Sequence, residues 1–341
     1  MRRREFIAGL GGAAAAWPLA ARAQQDGLVR RIGVLSAWTE DDPLARDLLS
    51  ILRQELQKVG WTEGRNLRID VRFPRVDLER DNADAMLRWI NEIAAYAREL
   101  IGLAPALIFT VGGAATDAVQ RQTRNIPIVF AFAGGLPENG GPAIVRNIAH
   151  PEGNTTGFAN HFVSLAGKWL ELLKEAAPRL ARVAVFPSML GGGWYTAPIE
   201  AAATSYGVQV IWIPYHPAEL GRAIDAFAAD PNGGLIVLPG EGIRQARRTI
   251  SRLAAQYRLP AIYQDDTFAK GGGLMSYGPN FLDIVRQSAS YVDRILRGAK
   301  VGDLPVQFPT RFELVVNLNA AKAIGLTIPE SFLVRANAII E

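Results

Sequence analysis

Two successive series of alternating strand and helix patterns, one starting at Arg30 and the other at Arg182, constrain this chain more than any other feature. In the first series, Ile32-Gly33-Val34-Leu35 reads as a strand. Ala45 to Val59 follows as an amphipathic helix with Leu48, Leu49, Leu52, Leu56 and Val59 on one face. Leu67 to Phe73 alternates apolar and polar residues as a second strand, and Asn82 to Leu103 is a long helical stretch with a break expected near Gly102. Ala106 to Val111 and Ile126 to Ala131 are continuous apolar runs, the pattern of strands buried on both faces of a parallel sheet.

The second series repeats the plan. It places strands at Val183 to Phe186, Val208 to Ile213, Leu235 to Leu238 and Ala261 to Tyr263. Helices intervene around Ile199 to Tyr206, Ala218 to Ala229 and Ile243 to Tyr257. Strand–helix units of this length call for parallel strands joined by right-handed crossovers. The fold class is therefore α/β, with two Rossmann-like lobes built on parallel sheets. Too few elements remain at the end for a third lobe: Gly273 to Tyr277, the helix Leu282 to Leu296, and the pair Val306 to Phe308 and Glu313 to Val316. They are expected to return to the lobes already built, which makes a hinge of several crossings and a clamshell able to close on a ligand. The expected first lobe takes residues 28–157 plus about 268–303, and the second 158–267 plus about 304–341. The Gly/Pro-rich stretch Ala133 to Gly153 marks loops near the cleft.

The first 23 residues form a separate unit. Arg3-Arg4-Glu5-Phe6-Ile7 is a twin-arginine pattern, followed by a Gly/Ala-rich run to Leu19 and then Ala21-Arg22-Ala23. Gly9, Gly11, Gly12 and Pro18 make a poor helix, and the run is shorter than the roughly 20 apolar residues that span a bilayer. This segment predicts export by the twin-arginine route and cleavage after Ala23, leaving a mature protein in the periplasm. It also accounts for the apparent basicity. The whole chain has 37 Lys and Arg against 33 Asp and Glu; without the four arginines and one glutamate of the signal, 33 face 32. Such a balance gives no electrostatic argument for nucleic acid or a membrane surface. Cysteine is absent, which excludes disulfides, thiolate metal sites, a cysteine nucleophile and a lipid anchor on cysteine.

Candidate ligand residues cluster where strands end. Thr110-Val111-Gly112-Gly113-Ala114-Ala115-Thr116-Asp117 follows a buried strand and opens a helix, so Gly112, Gly113, Ala114 and Thr116 are placed to hold an anionic oxygen. The same sequence suits a tight strand–helix turn with Thr116 in the first helical turn. Ser36 and Trp38 end the first strand, offering a hydroxyl and an indole, and Ala133 ends the run from Ile126. In the second lobe, Ser188, Trp194, Tyr195 and Glu241 stand in the loops after two strands. Asp265 follows Tyr263; an ammonium partner is one role for Asp265 or Glu241, and an N-cap is the plainer role for Asp266.

Other chemistries lack their machinery in the sequence. G-x-G-x-x-G, the phosphate-loop pattern and G-x-S-x-G do not occur, and the carboxylates near Asp265 lack further ligands at metal spacing. None of His150, His161 and His216 neighbours a nucleophile motif. The sequence predicts a protein without catalytic residues, cofactor or metal.

Several longer segments carry a family resemblance. They are Arg31 to Leu35, Gly60-Trp61-Thr62-Glu63-Gly64-Arg65-Asn66, Gly112 to Thr116, Gly153-Asn154-Thr155-Thr156-Gly157-Phe158, Gly167 to Glu175, and Ala320 to Pro329. In these the chain resembles the ABC-transporter substrate-binding family that includes importers of tryptophan and tyrosine, over almost all of the mature sequence. The resemblance implies a type I periplasmic binding fold and a ligand held between the lobes. It also implies delivery to an ABC permease served by a separate ATPase. A monomeric capture protein for a small organic solute, an amino acid or aromatic carboxylate, is the resulting expectation. A sensor that hands its closed clamshell to a membrane receptor is the alternative. The chain departs from the family at cleft positions: Gly134-Gly135-Leu136-Pro137-Glu138 stands where Asp-Pro-Val is usual, and Pro239-Gly240-Glu241 where Pro-Thr-Asp is common. The stretch Asn82 to Tyr96 is also atypical, so the resemblance does not carry the ligand with it.

Overall fold

The computed structural model describes residues 29–76, 78, 84–133, 144–160, 163–187 and 193–341. The expected signal segment and cleavage site, Ser188, Gly191, Gly192 and the stretch Gly134 to Glu138 lie outside the described residues. Two sheets organise the chain. The first has the order β2-β1-β3-β4-β5, from strands Arg30–Ser36 (β1), Leu67–Arg72 (β2), Leu107–Val111 (β3), Ile128–Ala133 (β4) and Thr155–Ala159 (β5). All of its pairings are parallel.

The second sheet is built on Arg182–Phe186 (β6), Gln209–Trp212 (β7), Gly233–Val237 (β8), Ala261–Tyr263 (β9), Met275–Pro279 (β10), Phe312–Asn317 (β11) and Ala338–Ile340 (β12). Its order is β12-β11-β10-β9-β8-β6-β7. Here β10 and β11 pair antiparallel, against the expectation of parallel strands alone. The span 275–279, expected in the first lobe, therefore belongs to the second sheet. The helix after it, Phe281–Leu296, returns to pack on Pro43–Lys58 and on the first sheet. Three crossings result: between Ala159 and Val163, at Pro279 to Phe281, and between Gln307 and Phe312. Gln307 is held beside β5, its N–H donating to Gly157 O at 3.0 Å and its carbonyl accepting from Ala159 N at 2.8 Å.

Local sequence explains the elements. Helix α1, Pro43–Lys58, begins where Asp42 caps it through Leu44 N at 2.8 Å, with Pro43 in the first turn; Leu44, Leu48, Leu52 and Leu56 bury one stripe. Helix α2, Ala85–Gly102, buries Trp89, Ile93, Ala97 and Leu100 at the same periodicity and ends at the glycine. The patterns Ile243 to Tyr257 resolve into two helices, Glu241–Gln245 and Arg247–Gln256, meeting at Ala246 with φ −79° and ψ 8°.

Strand β5, Thr155-Thr156-Gly157-Phe158-Ala159, was not expected from the sequence. It is buried throughout and has no alternation, so its five residues carry no periodic signal. Near β10 a glycine is required for a different reason. A Cβ on Gly278 would stand 1.8 Å from the Gln264 carbonyl oxygen, a backbone atom without freedom to move aside. Gly278→Ala is expected to destabilise the protein by about 3 kcal/mol or more, through forced separation of β10 from the end of β9. A fall in the urea midpoint at unchanged slope measures it; an unchanged midpoint refutes the close approach.

Candidate functional site

In the first sheet the chain leaves β1 toward β2 on one side, and β3 lies on the other. Such a reversal of strand order opens a crevice at the carboxyl ends of β1 and β3. The second sheet repeats this between β6 and β8, in the order β7-β6-β8-β9-β10. The loops that follow these strands in the two sheets touch, with Trp38 after β1 and Asp265 after β9 both in contact with Arg244.

At β3 the turn into helix α3, Gly113–Gln120, hinges on Gly112, whose φ of 92° and ψ of 154° suit glycine alone. Its N–H donates to Ala131 O at 2.9 Å, which ties the turn to β4. Ala114 is half-buried, and a Cβ on Gly113 would meet nothing within 4 Å, so the mouth of this helix faces open space. The first N–H groups of the helix have no acceptor inside it, and the helix dipole places positive potential at this end. Thr116 does not share that mouth. It is fully buried, its hydroxyl donates to Gly112 O at 2.9 Å, and the Thr110 hydroxyl lies 2.8 Å away. Its side chain, expected to hold an anionic oxygen, is instead spent on completing the turn.

Ser36 is likewise engaged within its own loop. Its hydroxyl donates to Trp38 O and accepts from Trp38 N, both at 2.9 Å, and is buried. Trp38 is buried against Phe132 and Phe281, with ring centroids 5.5 and 6.1 Å away; Phe132 and Phe281 are 4.7 Å apart. Phe132 holds φ at 66°, rare for a bulky residue, at the register shift between Ala131 and Ala133 where β4 leaves β5. Ala133, the last residue of β4, is buried with Phe130, Val145 and Ala159.

On the second lobe, Tyr195 turns into the protein: it is buried against Trp169 at 6.0 Å, and burial pushes its phenol well above the ordinary value. Trp194, beside it at the start of helix α4, Gly193–Tyr206, is half-buried. Glu241 opens helix α5, Glu241–Gln245, with its side chain outside the described residues. Asp265 is buried and already occupied. One oxygen caps the helix Asp266–Lys270 through Thr267 N at 3.0 Å, and the other takes the Arg244 guanidinium at 2.7 Å. An ammonium role for Asp265 would have to displace that arginine.

Four residues of this region escaped the sequence reading: Asp42, Phe132, Arg244 and Phe281. Arg244 is buried, with its guanidinium carbon 4.3 Å from the Trp38 ring centre and 5.7 Å from that of Phe281. Asp42 Oδ2 lies 3.8 Å from it and 3.3 Å from Arg247. Beside this network, next to the crossing at Pro279 to Phe281, is a cavity of about 470 Å³ lined among others by Pro43, Leu44, Arg247, Phe268 and Phe281. None of the expected ligand residues lines it. Among the described residues, no group of three or more His, Asp or Glu is placed to hold a metal ion, and no helix is long and apolar enough to cross a membrane.

Comparison with known proteins adds the following. The family model described as ABC transporter substrate binding protein matches residues 75–340. A tyrosine-binding protein of Clostridioides difficile strain R20291 is 20% identical over 275 residues, covering 80% of this chain and 74% of that protein. A conserved domain protein from Vibrio cholerae superposes with a TM-score of 0.78 at 24% identity, covering 91% of this chain and 99% of that one. An ABC domain from Streptococcus pneumonia, solved in complex with L-Trp, gives 0.77 at 21% identity over the same shares. The structural likenesses establish a shared fold.

The inward hydroxyl of Thr116 yields a stability prediction. Thr116→Val leaves the buried Thr110 hydroxyl without its side-chain partner and should cost about 1–2 kcal/mol in urea unfolding. Its effect on solute affinity should stay below threefold; a larger loss of affinity at unchanged stability would return the hydroxyl to the ligand.

Proposed function

Because this chain belongs to the ABC transporter substrate binding protein family, we propose that it is a periplasmic capture protein for a small organic acid with an apolar or aromatic body, most simply an amino acid. It serves a transporter as a substrate-binding protein; the ligand class, the compartment and the export route are our reading. One observation carries the ligand class: the open, unsubstituted mouth of α3 at Gly112 to Ala114, set at the strand-order reversal of the first lobe. Backbone N–H groups there suit a carboxylate and no cation. Relatives described as tyrosine-binding or solved with L-Trp support a carboxylate borne on an aromatic amino acid. The departures at Gly134 to Glu138 and Pro239 to Glu241 argue that the remainder of the ligand differs.

In this reading Gly113 and Ala114 take the carboxylate, and Trp194 meets the apolar body from the second lobe. Glu241, in place of the engaged Asp265, meets a donor on the ligand. Closure of the lobes about the three crossings excludes water and strengthens these contacts. The closed protein then docks as a monomer on a permease served by a separate ATPase and carries out no chemistry itself. Export uses Arg3 and Arg4, and the mature chain begins at Gln24.

A thermal-shift screen of the mature protein against amino acids and aromatic acids tests the ligand class. Solute at 100 times its dissociation constant should add about 2.7 kcal/mol to stability. Gly113→Leu starts a side chain at the open mouth, where its Cβ meets no protein atom within 4 Å; it should leave the unliganded melting temperature unchanged and weaken binding at least tenfold. If no carboxylate shifts the protein while cationic or neutral solutes do, the reading is wrong. For export, the Arg3→Lys/Arg4→Lys precursor should accumulate in the cytoplasm with its first 23 residues intact, and its normal processing would refute the twin-arginine route.

A further inference from the structure

Helix α5 and the residues just after it touch the first lobe repeatedly. Arg244 lies over Trp38 at 4.3 Å and near Asp42 at 3.8 Å; Arg247 reaches Asp42 Oδ2 at 3.3 Å; Gln245 Oε1 accepts from Leu78 N at 2.5 Å. Trp38, Asp42 and Leu78 belong to the first lobe, while Arg244, Gln245, Arg247 and Asp265 belong to the second. Each of these contacts is made between protein atoms of the two lobes.

We infer that Arg244 is an interlobe clasp, a positioning residue that holds the two lobes in closed register by inserting its guanidinium into a box of aromatic faces and carboxylates. The inference deepens the capture reading by naming what favours closure, but it is tested without any solute. The box is made for a planar cation. Trp38 and Phe281 supply π faces, and Phe132 stacks behind them at 5.5 and 4.7 Å. Asp265 anchors the arginine within its own lobe at 2.7 Å, which orients the head toward Trp38. Asp42 meets it from the other lobe and is itself fixed by capping α1. Because Arg244, Asp42 and Asp265 are each at most 5% exposed, salt should screen this contact far less than a surface pair. A planar fork that both stacks and ion-pairs is particular to arginine; a lysine ammonium keeps the charge and loses the stack.

The clasp has a consequence for recognition. The Trp38 face that the sequence offered to a ligand is covered by Arg244 when the lobes are closed, so an aromatic ligand body finds its wall elsewhere. The clasp also shifts the closed-to-open ratio, and apparent affinity falls in proportion to the competent fraction when the clasp is removed.

The test is a distance measurement in the mature, solute-free protein. The chain has no cysteine, so Arg98→Cys and Arg222→Cys, exposed helical positions in the first and second lobes, take spin labels uniquely. The parent should show one dominant short distance, unchanged between low and moderate salt. Arg244→Ala should lower the closed-to-open ratio at least tenfold, and Arg244→Lys should restore it in part. Free guanidinium at millimolar, non-denaturing levels should re-close Arg244→Ala by refilling the box, where the same concentration of sodium chloride does not. If Arg244→Ala unfolds, the charge-matched Arg244→Met/Asp265→Asn variant, which keeps a cap at position 265, gives the same reading. A distance distribution identical to the parent in a folded Arg244 variant would overturn the clasp, as would re-closure by sodium chloride.

Discussion

Parallel pairing of strands is the constraint on which the rest of this molecule depends. Neighbouring parallel strands cannot be joined by a hairpin, so every connection becomes a crossover and every strand ends at the same edge of its sheet. The loops that could carry function are then collected at that edge without any sequence instruction to collect them. In both sheets the first five strands follow one order, β2-β1-β3-β4-β5 and β7-β6-β8-β9-β10. Each sheet thus opens its own crevice, and two crevices facing one another make a cleft. The antiparallel β10–β11 pair sits outside this pattern, beside the hinge crossing at Pro279 to Phe281. It extends the second sheet where no cleft has to be formed.

Between the facing edges lie charges that burial would ordinarily expel. Removing one partner from a buried pair costs about 3–5 kcal/mol, while replacing a whole pair by apolar groups is often neutral. A network such as Arg244, Asp42, Asp265 and Arg247 is therefore better understood as specifying an arrangement than as supplying stability. Each carboxylate also has a local duty: Asp42 starts α1 and Asp265 starts the helix Asp266–Lys270. A helix cap is fixed relative to its helix within the first turn. When the capping residue also faces a charge on the other lobe, the orientation of a whole helix is coupled to lobe closure. That coupling needs no long chain of residues, because the carboxylate of Asp42 that caps α1 is the one that faces Arg244 and Arg247 of the second lobe.

Much of this architecture could be read from the sequence, since buried strands and amphipathic helices leave periodic signals as long as they run for several residues. Strand β5 left none: five buried residues with a glycine in the middle look like a loop. The break at Ala246 was hidden for a related reason, because the residues on either side continue a helical pattern and only the backbone angles change. At the site, the positions were legible and the roles were not. Ser36, Trp38 and Thr116 do stand at strand ends, but hydroxyls and an indole are as useful for completing a tight turn as for meeting a ligand. Their partners, at Trp38 N, Gly112 O and Phe132, become known only from the fold. Arg244 was invisible because its partners come from positions 38, 42, 265 and 281, four places that no local pattern relates.

The inward turn of these side chains changes what membership of the family implies for specificity. If Thr116 and Ser36 complete the turns, the groups left to face the cleft at α3 are main-chain N–H groups, which are the same for any sequence that folds this way. A carboxylate can then be held by every member that keeps the Gly112 conformation, whatever its other residues. In the proposed reading, discrimination among carboxylates has to come from side chains that vary, and the positions where the resemblance implies a departure from the family lie after β4 and β8. On the proposed reading, recognition divides between a fixed end, set by the backbone geometry of the Gly112 turn, and a variable end, set by loops that the fold leaves free to change. Arg244 over the Trp38 ring strengthens that division, because it takes an aromatic face that the first lobe could have offered to aromatic ligands alike.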